Sequence, residues 1–309
     1  MLSGYHSKSD ITKAYIQMHL SIILWGATAV LGRGISLSEG MLVWYRLIIT
    51  SVSLFLAIKF TKRSLKVSRE TFLKLAGIGV LLMIHWLFFY GAIKYSNVSM
   101  TLSLFSSTTL FTALIEPVIT DKKFNRIELL FSLLAITGMC IIFYTDTHSY
   151  GVGIFLALMA AFVGAFFNIL NSKVVKTVSS DVVSFYEIFS GLIALTLFLP
   201  FYIRYFQVKE LVPTNLDWLL LTILAVACTH ITLVLSLNAL RHLSAFTLNL
   251  AINLEPVYGI ALAFLIFGEN KQMGPGFFIG TVLIMASVVL HAWVTGGEDK
   301  EIGNLEIRE

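Results

Sequence analysis

Long apolar segments alternate with short polar connections along almost the whole chain. A helix that rises 1.5 Å per residue needs about 20 apolar residues to cross roughly 30 Å of hydrocarbon, and each segment approaches or exceeds that length. The pattern therefore predicts an all-α integral membrane protein with ten transmembrane helices. We place them at about residues 14–32, 41–59, 72–94, 98–119, 127–145, 151–172, 182–203, 217–240, 244–267 and 275–294.

The composition favours the same environment. Hydrophobic residues make up 57% of the 309 positions and charged residues only 13%, about half the charged share of a soluble domain. The two cysteines, Cys140 and Cys228, lie within apolar segments, which indicates neither a disulfide framework nor a metal site. Basic residues occur in short clusters between the apolar segments, so we expect membrane lipids rather than nucleic acid as surroundings, and no cofactor.

Lys and Arg are distributed unevenly over the connections. If the N-terminus is cytoplasmic, most of the 22 Lys and Arg residues fall on the cytoplasmic connections and tails. Because positive charge accumulates on the cytoplasmic side, this distribution predicts a multi-pass protein of the cell (inner) membrane with both termini in the cytoplasm.

The two halves of the chain resemble one another. Segments 25–27, 44–46 and 92–94 match segments 163–165, 185–187 and 239–241. An odd number of helices in each unit makes the second unit enter the membrane upside down, as in many secondary transporters. We therefore expect an inverted repeat of two five-helix units at 1–149 and 150–297, followed by a cytoplasmic tail at 298–309.

Several segments resemble the EamA-type family of the drug/metabolite transporter superfamily. They are the helix with Arg46, the segment Phe89–Tyr95, and above all Asn253–Val257 followed by Gly268-Glu269. The resemblance covers nearly the whole chain and implies a ten-helix fold with a central cavity lined by helices one, three, four, six, eight and nine. It also implies transport of amino acids or other small metabolites. The first half departs from the family pattern, with Thr109 in place of a helix-four proline, so we expect bending mainly in helix nine.

Polar and amphipathic side chains from several predicted helices share a similar depth. Such groups face a cavity or a protein partner, because exposure to hydrocarbon is costly. The candidate substrate-binding residues are Trp25, His85, Tyr90, Thr108, Asn168, His230, Asn249 and Asn253. Alternatives stay open: either histidine could hydrogen-bond a backbone carbonyl, the two asparagines of helix nine could join helices, and Trp25 and Tyr90 could simply pack.

Glu255, Pro256, Arg46 and Glu187 are candidates for coupling or gating. Pro256 leaves the carbonyl of Ile252 without its helical partner and can open the helix there. Glu255 could exchange a proton between conformations, or it could be a neutral acid that locks helix nine. Arg46 and Glu187 occupy matching positions, but about 10 Å of depth separates them, so we do not pair them. For Arg46 we favour snorkelling toward the outer face over contact with a substrate carboxylate.

The predicted function is secondary transport of a small-molecule substrate, with export favoured, by alternating access around the midplane layer. No Walker A sequence is present, so ATP would not drive transport directly, and a proton gradient is one natural source of energy. The alternative is an intramembrane enzyme acting on lipid or peptide. Against that alternative, the chain has no H-E-x-x-H, G-x-S-x-G or Cys-His arrangement. Gly276 and Gly280 form a G-x-x-x-G motif that would suit a homodimer.

Overall fold

The computed structural model describes residues 8–120, 124–146, 150–176, 178–252 and 254–305. Within these ranges every regular element is a helix. The elements are α1 (Lys8–Gly34), α2 (Glu39–Phe60), α3 (Arg69–Tyr95), α4 (Val98–Phe105), α5 (Thr108–Ile119), α6 (Arg126–Asp146), α7 (Gly151–Val174), α8 (Ser180–Phe206), α9 (Asn215–Ala225), a π turn (Val226–Ile231), α10 (Thr232–Ala239), α11 (Ala245–Ile252), α12 (Glu255–Phe267), a 3-10 turn (Glu269–Gln272) and α13 (Pro275–Leu305).

Seven helical segments in the described ranges are long and apolar enough to cross a membrane. They are Ser9–Gly34, Glu39–Phe60, Arg69–Tyr95, Val98–Ile119, Gly151–Val174, Ser180–Phe206 and Asn215–Ala239. Shorter apolar helices follow at Glu255–Phe267 and Pro275–Ser287. The chain is therefore a multi-pass membrane protein, and helical segments lie at all ten of the predicted stretches.

The helices pack as one bundle, and we name its two ends by arginines. The Arg33 end contains the last turn of α1, and the Arg63 end contains the turn after α2. At the Arg33 end, the carboxylate of Asp217 caps α9 and also accepts hydrogen bonds from the backbone N–H and the hydroxyl of Ser36, at 2.7 and 2.6 Å. At the Arg63 end, Arg63 forms an ion pair with Asp181 at the start of α8.

Glycines allow close approach at two helix crossings. A Cβ atom added to Gly79 of α3 would lie 2.1 Å from the carbonyl oxygen of Glu187 in α8, so the two backbones touch there. A Cβ atom added to Gly138 of α6 would lie 2.5 Å from the carbonyl oxygen of Gly280 in α13. Gly276 and Gly280 are both buried within the chain. The interpretation of their motif as a dimer contact is therefore wrong, because the surface is already used to pack α13 on α6.

Two of the predicted spans are broken, each after an eight-residue helix. α11 ends at Ile252 and α12 begins at Glu255, as the proline at position 256 predicts. α4 ends at Phe105 and α5 begins at Thr108, although no proline is present there. The expectation that bending occurs mainly in helix nine is therefore wrong, because the span of α4 and α5 is broken as well.

Hydroxyl groups account for the break between α4 and α5. The hydroxyl of Thr108 donates to the carbonyl of Phe105 at 2.6 Å, and that of Ser106 donates to the carbonyl of Leu102 at 3.4 Å. Side chains that bond nearby carbonyls offer the backbone an alternative to regular helical bonds. The backbone N–H of Ser107 correspondingly bonds the carbonyl of Leu104, three residues earlier, as in a 3-10 turn.

A π turn interrupts the span formed by α9 and α10. It holds Thr229, whose hydroxyl donates to the carbonyl of Leu224, five residues earlier, at 2.6 Å. Single π turns inside helices are frequent at functional sites because the extra residue turns side chains to a different face. Here the turn directs Thr229 toward the interior of the bundle, where it meets α2.

Candidate substrate cavity

A cavity lies in the interior of the bundle, with a volume of about 80 Å³. The elements α1, α2, α3, α4, α7, the π turn, α10, α11 and α12 all contribute to its wall. The lining residues are Trp25, Thr28, Arg46, Leu82, His85, Trp86, Phe89, Phe105, Gly164, Phe167, Asn168, Thr229, Thr232, Leu233, Ile252 and Glu255. Apolar rings thus surround a small number of polar and charged groups, the usual composition of a small-molecule site.

Arg46 is the cationic group of the cavity and is only 1% exposed. Its Nε donates to the hydroxyl of Thr229 at 2.7 Å, and its Nη1 donates to the hydroxyl of Tyr90, also at 2.7 Å. Its guanidinium carbon lies 3.7 Å from the centre of the Trp86 ring, within range for a cation–π interaction. The interpretation that Arg46 snorkels to the outer face is therefore wrong, because three side chains from α3 and the π turn hold its head group inside.

These contacts leave part of the guanidinium available. An arginine has five N–H donors, and among the described residues only two of the donors of Arg46 have hydrogen-bond partners. The partners of Arg46 are two neutral hydroxyls and the face of a ring, so no carboxylate in the described ranges lies within 4.0 Å of it. Arg46 is thus fixed in orientation and still able to bind an anion.

Glu255 is the anionic candidate of the same cavity and is 4% exposed. It is the first residue of α12, next to the break, and Pro256 follows it in the first turn of that helix. Arg46 and Glu255 line the same cavity but form no ion pair within 4.0 Å in the described part of the chain. The backbone at Glu255 is held by close packing, since a Cβ atom added to Gly26 of α1 would lie 3.4 Å from its carbonyl oxygen.

His85 lines the cavity from α3 and also has a structural contact. Its Nδ1 donates to the carbonyl of Ala160 in α7 at 2.9 Å, which assigns the proton of a neutral ring to Nδ1. Nε2 then remains an acceptor. Gly164 makes room for the ring, since an added Cβ atom would lie 3.2 Å from Nδ1. Both interpretations of His85, cavity lining and a bond to a backbone carbonyl, therefore hold together.

Aromatic rings form the apolar wall of the cavity. The ring centre of Phe105 lies 5.5 Å from that of Phe89 and 5.5 Å from that of His85. Trp25 of α1 and Phe167 of α7 complete this wall. A ligand in the cavity would therefore meet charge near Arg46 and Glu255 and flat apolar surfaces elsewhere.

The structure brings together five of the residues predicted from the sequence. Trp25, Arg46, His85, Asn168 and Glu255 all line the cavity. Four of them were predicted from their shared depth, and Arg46 from the family resemblance and its place in the repeat. Depth along a helix is therefore informative here even without knowledge of which face turns inward.

Other candidates lie outside the cavity. Tyr90 is fully buried and supports Arg46 from behind, and Thr108 bonds its own helix break. The Nδ1 of His230 pairs with the hydroxyl of Ser53 at 2.6 Å, so this histidine joins the π turn to α2 and does not line the cavity. Glu187 is buried elsewhere, beside α3.

The predicted asparagines of helix nine cannot be assigned to the cavity. Asn253 lies outside the described residues, and the structure describes the backbone of Asn249 but not its side chain. Both remain predictions.

The sequence analysis missed Trp86, Thr229 and Phe167. Phe89 and Leu82 could have been found, since they lie one turn from His85 on the same helix face. Trp86 could not have been found in this way, because it directly follows His85 and is therefore not on the same helix face. Thr229 could not have been found either, because it reaches the cavity only through the π turn.

A bundle of apolar helices around a cavity that contains a cation and an acidic group is typical of membrane transporters. The chain belongs to the EamA-like transporter family, whose sequence model matches residues 12–144 and, separately, residues 151–293. The resemblance drawn from the sequence is thereby confirmed, and the protein is a membrane transporter.

Two relatives and one solved structure agree with this assignment. The uncharacterized transporter YxxF of Bacillus subtilis is 23% identical over 293 residues, which cover 92% of this chain and 91% of the relative. An uncharacterized transporter of Clostridium kluyveri is 24% identical over 207 residues, or 65% of each chain. A protein crystal structure with 14% identity aligns with a TM-score of 0.69 over 92% of this chain and 98% of its own, which supports the fold alone. The family match favours transport over the alternative of an intramembrane enzyme, because the matched family consists of transporters.

Proposed function

We propose that the protein is a secondary transporter that exports small zwitterionic solutes with an apolar side chain, of which amino acids are the simplest class. The observation that carries this proposal is the pair of Arg46 and Glu255. Both are almost fully buried, both line one cavity, and neither is neutralised by the other through a close ion pair.

A zwitterion would complement both groups at once. Its carboxylate would accept hydrogen bonds from the free N–H groups of Arg46, a planar donor that suits carboxylates. Its ammonium group would lie near Glu255, and its side chain would contact the rings of Trp25, Phe105 and Phe167. Buried charges without partners are costly, so a solute that supplies both opposite charges gains most from entering.

An inverted repeat of two five-helix units, at 1–149 and 150–297, is the architecture we propose for alternating access. The family model matches each half separately, and both halves contain a span broken after eight residues. Each contact between the halves also has a counterpart when the two halves are interchanged. The contact of α3 with α7 corresponds to that of α10 with α1, and the contact of α4 with α12 corresponds to that of α11 with α5. The contact of α6 with α13 corresponds to itself. Ten transmembrane spans with this symmetry allow the cavity to open toward either side.

We propose that the Arg63 end faces the cytoplasm of a cell (inner) membrane, with both chain termini on that side. The surplus of Lys and Arg in the connections at that end supports this orientation. At the opposite end, the ion pair of Arg33 and Glu269 would then close the outer side in the described conformation.

Glu255 is the group that we propose to couple transport to protons. It stands at the start of α12, where the helix is broken, so movement of α11 against α12 would change how much water reaches the carboxyl group. Pro256 would serve as the gating element, since it keeps the break open by lacking a backbone N–H.

The test of the substrate class is counterflow in proteoliposomes with a matched set of solutes. Phenylalanine should exchange, whereas its amide, which lacks the carboxylate, and phenylpropionate, which lacks the ammonium, should not. Arg46→Gln should abolish exchange, with Arg69→Gln as the control because Arg69 is exposed at the start of α3. Equal exchange of all three compounds would show that the two charges do not select the solute.

Glu255→Gln tests the coupling role separately. The amide oxygen of Gln can still accept from the ammonium group but lacks the charge, so the variant should allow counterflow of phenylalanine with a raised KM while removing the response to an imposed pH gradient. Glu210→Gln, the same exchange at an exposed position, is the control and should keep the response. A gradient response that survives in Glu255→Gln would remove this residue from the coupling mechanism.

Direction of transport requires intact cells. Cells that are fed a phenylalanine-containing dipeptide accumulate the free amino acid inside. Expression of the transporter should lower that internal concentration and raise the external one, and Arg46→Gln should not. An unchanged internal concentration together with faster uptake from outside would reverse the proposed direction.

A further inference from the structure

A second acidic group lies deep in the bundle, outside the cavity. Glu187 of α8 is 0% exposed, and so is its neighbour Asn171 of α7. Asn171 is one turn from Asn168, which lines the cavity, and Glu187 is six residues from Asp181 at the Arg63 end, or about 9 Å along the helix. The pair therefore lies between the cavity and the Arg63 end.

The hydrogen bonds of this pair are half complete. Nδ2 of Asn171 donates to Oε2 of Glu187 at 3.4 Å. In the described part of the chain, Oε1 of Glu187 and Oδ1 of Asn171 have no hydrogen-bond partner, although both atoms are buried. The hydroxyl oxygen of Ser184, one turn before Glu187, is also buried without a partner there.

One proton would satisfy both orphaned oxygens. A carboxylic acid and a primary amide are planar groups that can form two parallel hydrogen bonds, one in each direction. Asn171 already donates to Oε2, so a proton on Oε1 could be donated to Oδ1 of Asn171 and complete the ring. An ionised carboxylate at this place would instead be buried with a single long hydrogen bond, which is very unfavourable.

Within the described residues, no charged group forms an ion pair that would neutralise Glu187. The basic groups on the helices that contact α8 are Arg46 and Lys59 on α2, Arg69, Lys74, His85 and Lys94 on α3, and Lys173 on α7. In the described part of the chain, none of these groups forms an ion pair within 4.0 Å with Glu187, and α10 carries no titratable group. Among the described residues, the side-chain hydrogen bond that this carboxyl group accepts comes from Asn171.

The site also adjoins a close backbone contact between α3 and α8. The backbone of Glu187 touches Gly79 of α3, and one turn further a Cβ atom added to Gly191 would lie 2.8 Å from the carbonyl oxygen of Gly79. The crossing is formed mainly by backbone, with the Cβ atom of Met83 beside Gly191, so separation of α3 from α8 would admit water directly beside Glu187.

We propose that Glu187 and Asn171 form a second proton-binding site, occupied while α3 and α8 are in contact and emptied when they separate. On separation the carboxyl group gives its proton to water and becomes a carboxylate, and the reverse step accompanies closure. The inference rests on the proposed function only for the link from this proton to transport. The existence of the site is independent of the substrate.

Infrared spectroscopy of the full chain in liposomes tests whether the acid is protonated. At neutral pH without substrate, a carbonyl stretching band of a protonated carboxylic acid should be present and should be lost in Glu187→Gln. The band should remain in Glu210→Gln, because Glu210 is exposed. If Glu187→Gln leaves every such band unchanged, Glu187 is ionised in the closed state and the proposal is wrong.

A second variant tests the pairing with the amide and does not remove the acid. In Asn171→Leu the Glu187 band should persist but shift to the higher frequency of an acid without a hydrogen-bond partner. A band at the wild-type frequency would exclude the acid–amide pair.

Amide hydrogen exchange tests the link between the proton and the helix contact. In α3 and α8 near Gly79 and Gly191, wild-type exchange should rise by up to about tenfold per pH unit more than exchange in Glu187→Gln, because opening releases one proton. If sodium at constant pH closes the contact instead, the site binds a metal cation and the proposal is overturned. These measurements use no solute, so their failure would leave the counterflow test of Arg46 unaffected, and the reverse also holds.

Discussion

Arg33 and Glu269 are 236 positions apart in the chain and form an ion pair of 2.8 Å. The carboxylate of Glu269 also accepts hydrogen bonds from the backbone N–H of Ser99 at 3.0 Å and from its hydroxyl at 2.6 Å. One carboxylate thus binds the end of α1 and the first turn of α4, where helix N–H groups lack partners within the helix. This contact holds the two halves of the chain together at the Arg33 end.

Glu269→Gln should lower the free energy of unfolding more than Arg33→Gln does. Glu269 is 0% exposed and Arg33 is 33% exposed, so loss of the carboxylate leaves buried donors poorly matched whereas the arginine can turn to solvent. We expect a loss of about 3 kcal/mol for Glu269→Gln and about 1 kcal/mol for Arg33→Gln. Chemical unfolding in detergent micelles measures both, with Glu210→Gln as the control. Equal losses would mean that the ion pair, not the bonds to α4, carries the stability.

Gly79→Ala should push α3 away from α8. The added methyl group would lie 2.1 Å from the carbonyl oxygen of Glu187, which is backbone and cannot turn aside. We expect a cost of about 3 kcal/mol, the upper part of the range for overpacking. Gly77→Ala is the matched control, two residues away on the same helix, because nothing lies within 4 Å of its added Cβ atom. Thermal unfolding should separate the two variants clearly, and similar melting temperatures would contradict the close crossing.

Tyr90→Phe should weaken substrate binding without removing any cavity-lining group. Its hydroxyl holds the Nη1 of Arg46 at 2.7 Å, so its loss frees the guanidinium to turn away from the cavity. A hydrogen bond to a charged group contributes about 1.5–3 kcal/mol, which corresponds to an increase in KM of roughly tenfold or more. Tyr205→Phe, at an exposed ring, is the control. Counterflow kinetics give KM, and an unchanged value in Tyr90→Phe would show that Trp86 and Thr229 suffice to orient Arg46.

Thr108→Val should favour a continuous helix through α4 and α5. The variant keeps the shape of the side chain but removes the hydroxyl that bonds the carbonyl of Phe105, a contribution of about 1 kcal/mol to the break. Amide exchange at residues 106–109 should slow, and turnover in counterflow should fall. Thr222→Val removes a similar hydroxyl bond, to the carbonyl of Trp218, from the unbroken helix α9 and should change neither. Faster exchange in Thr108→Val would mean that the hydroxyl supports the helix.

Positions of the helices could be predicted because hydrophobic length is a local property. The π turn and the break at Ser106 and Ser107 could not be predicted in the same way. Serines and threonines can bond the backbone in many conformations, and only the neighbouring helices select one. The proline rule therefore anticipated the break before Glu255 and missed its counterpart in the first half.

The sequence predicted the depth of the cavity residues along their helices but not the direction in which their side chains point. Counting residues identified Trp25, His85, Asn168 and Glu255, all of which line the cavity. The same residue count also selected His230, but this side chain pairs with Ser53 and does not line the cavity. The snorkelling argument predicted that Arg46 points toward the outer face, whereas its head group contacts Tyr90 and Trp86 inside the bundle. A side chain as long as arginine can reach either way, and its direction depends on partners from other helices.

By itself the sequence determined that this protein lies in a membrane, that it is helical, and to which family it belongs. These properties depend on the length of apolar segments and on short motifs, which are features of consecutive residues. Tertiary structure alone decided which polar groups share a space. Arg46 of α2 contacts Thr229 from the second half and faces the cavity that Glu255 also lines, while Glu187, which occupies the matching position in the predicted repeat, pairs with Asn171 instead. Such choices depend on helix rotation and on glycine contacts between distant segments, and no local pattern fixes these.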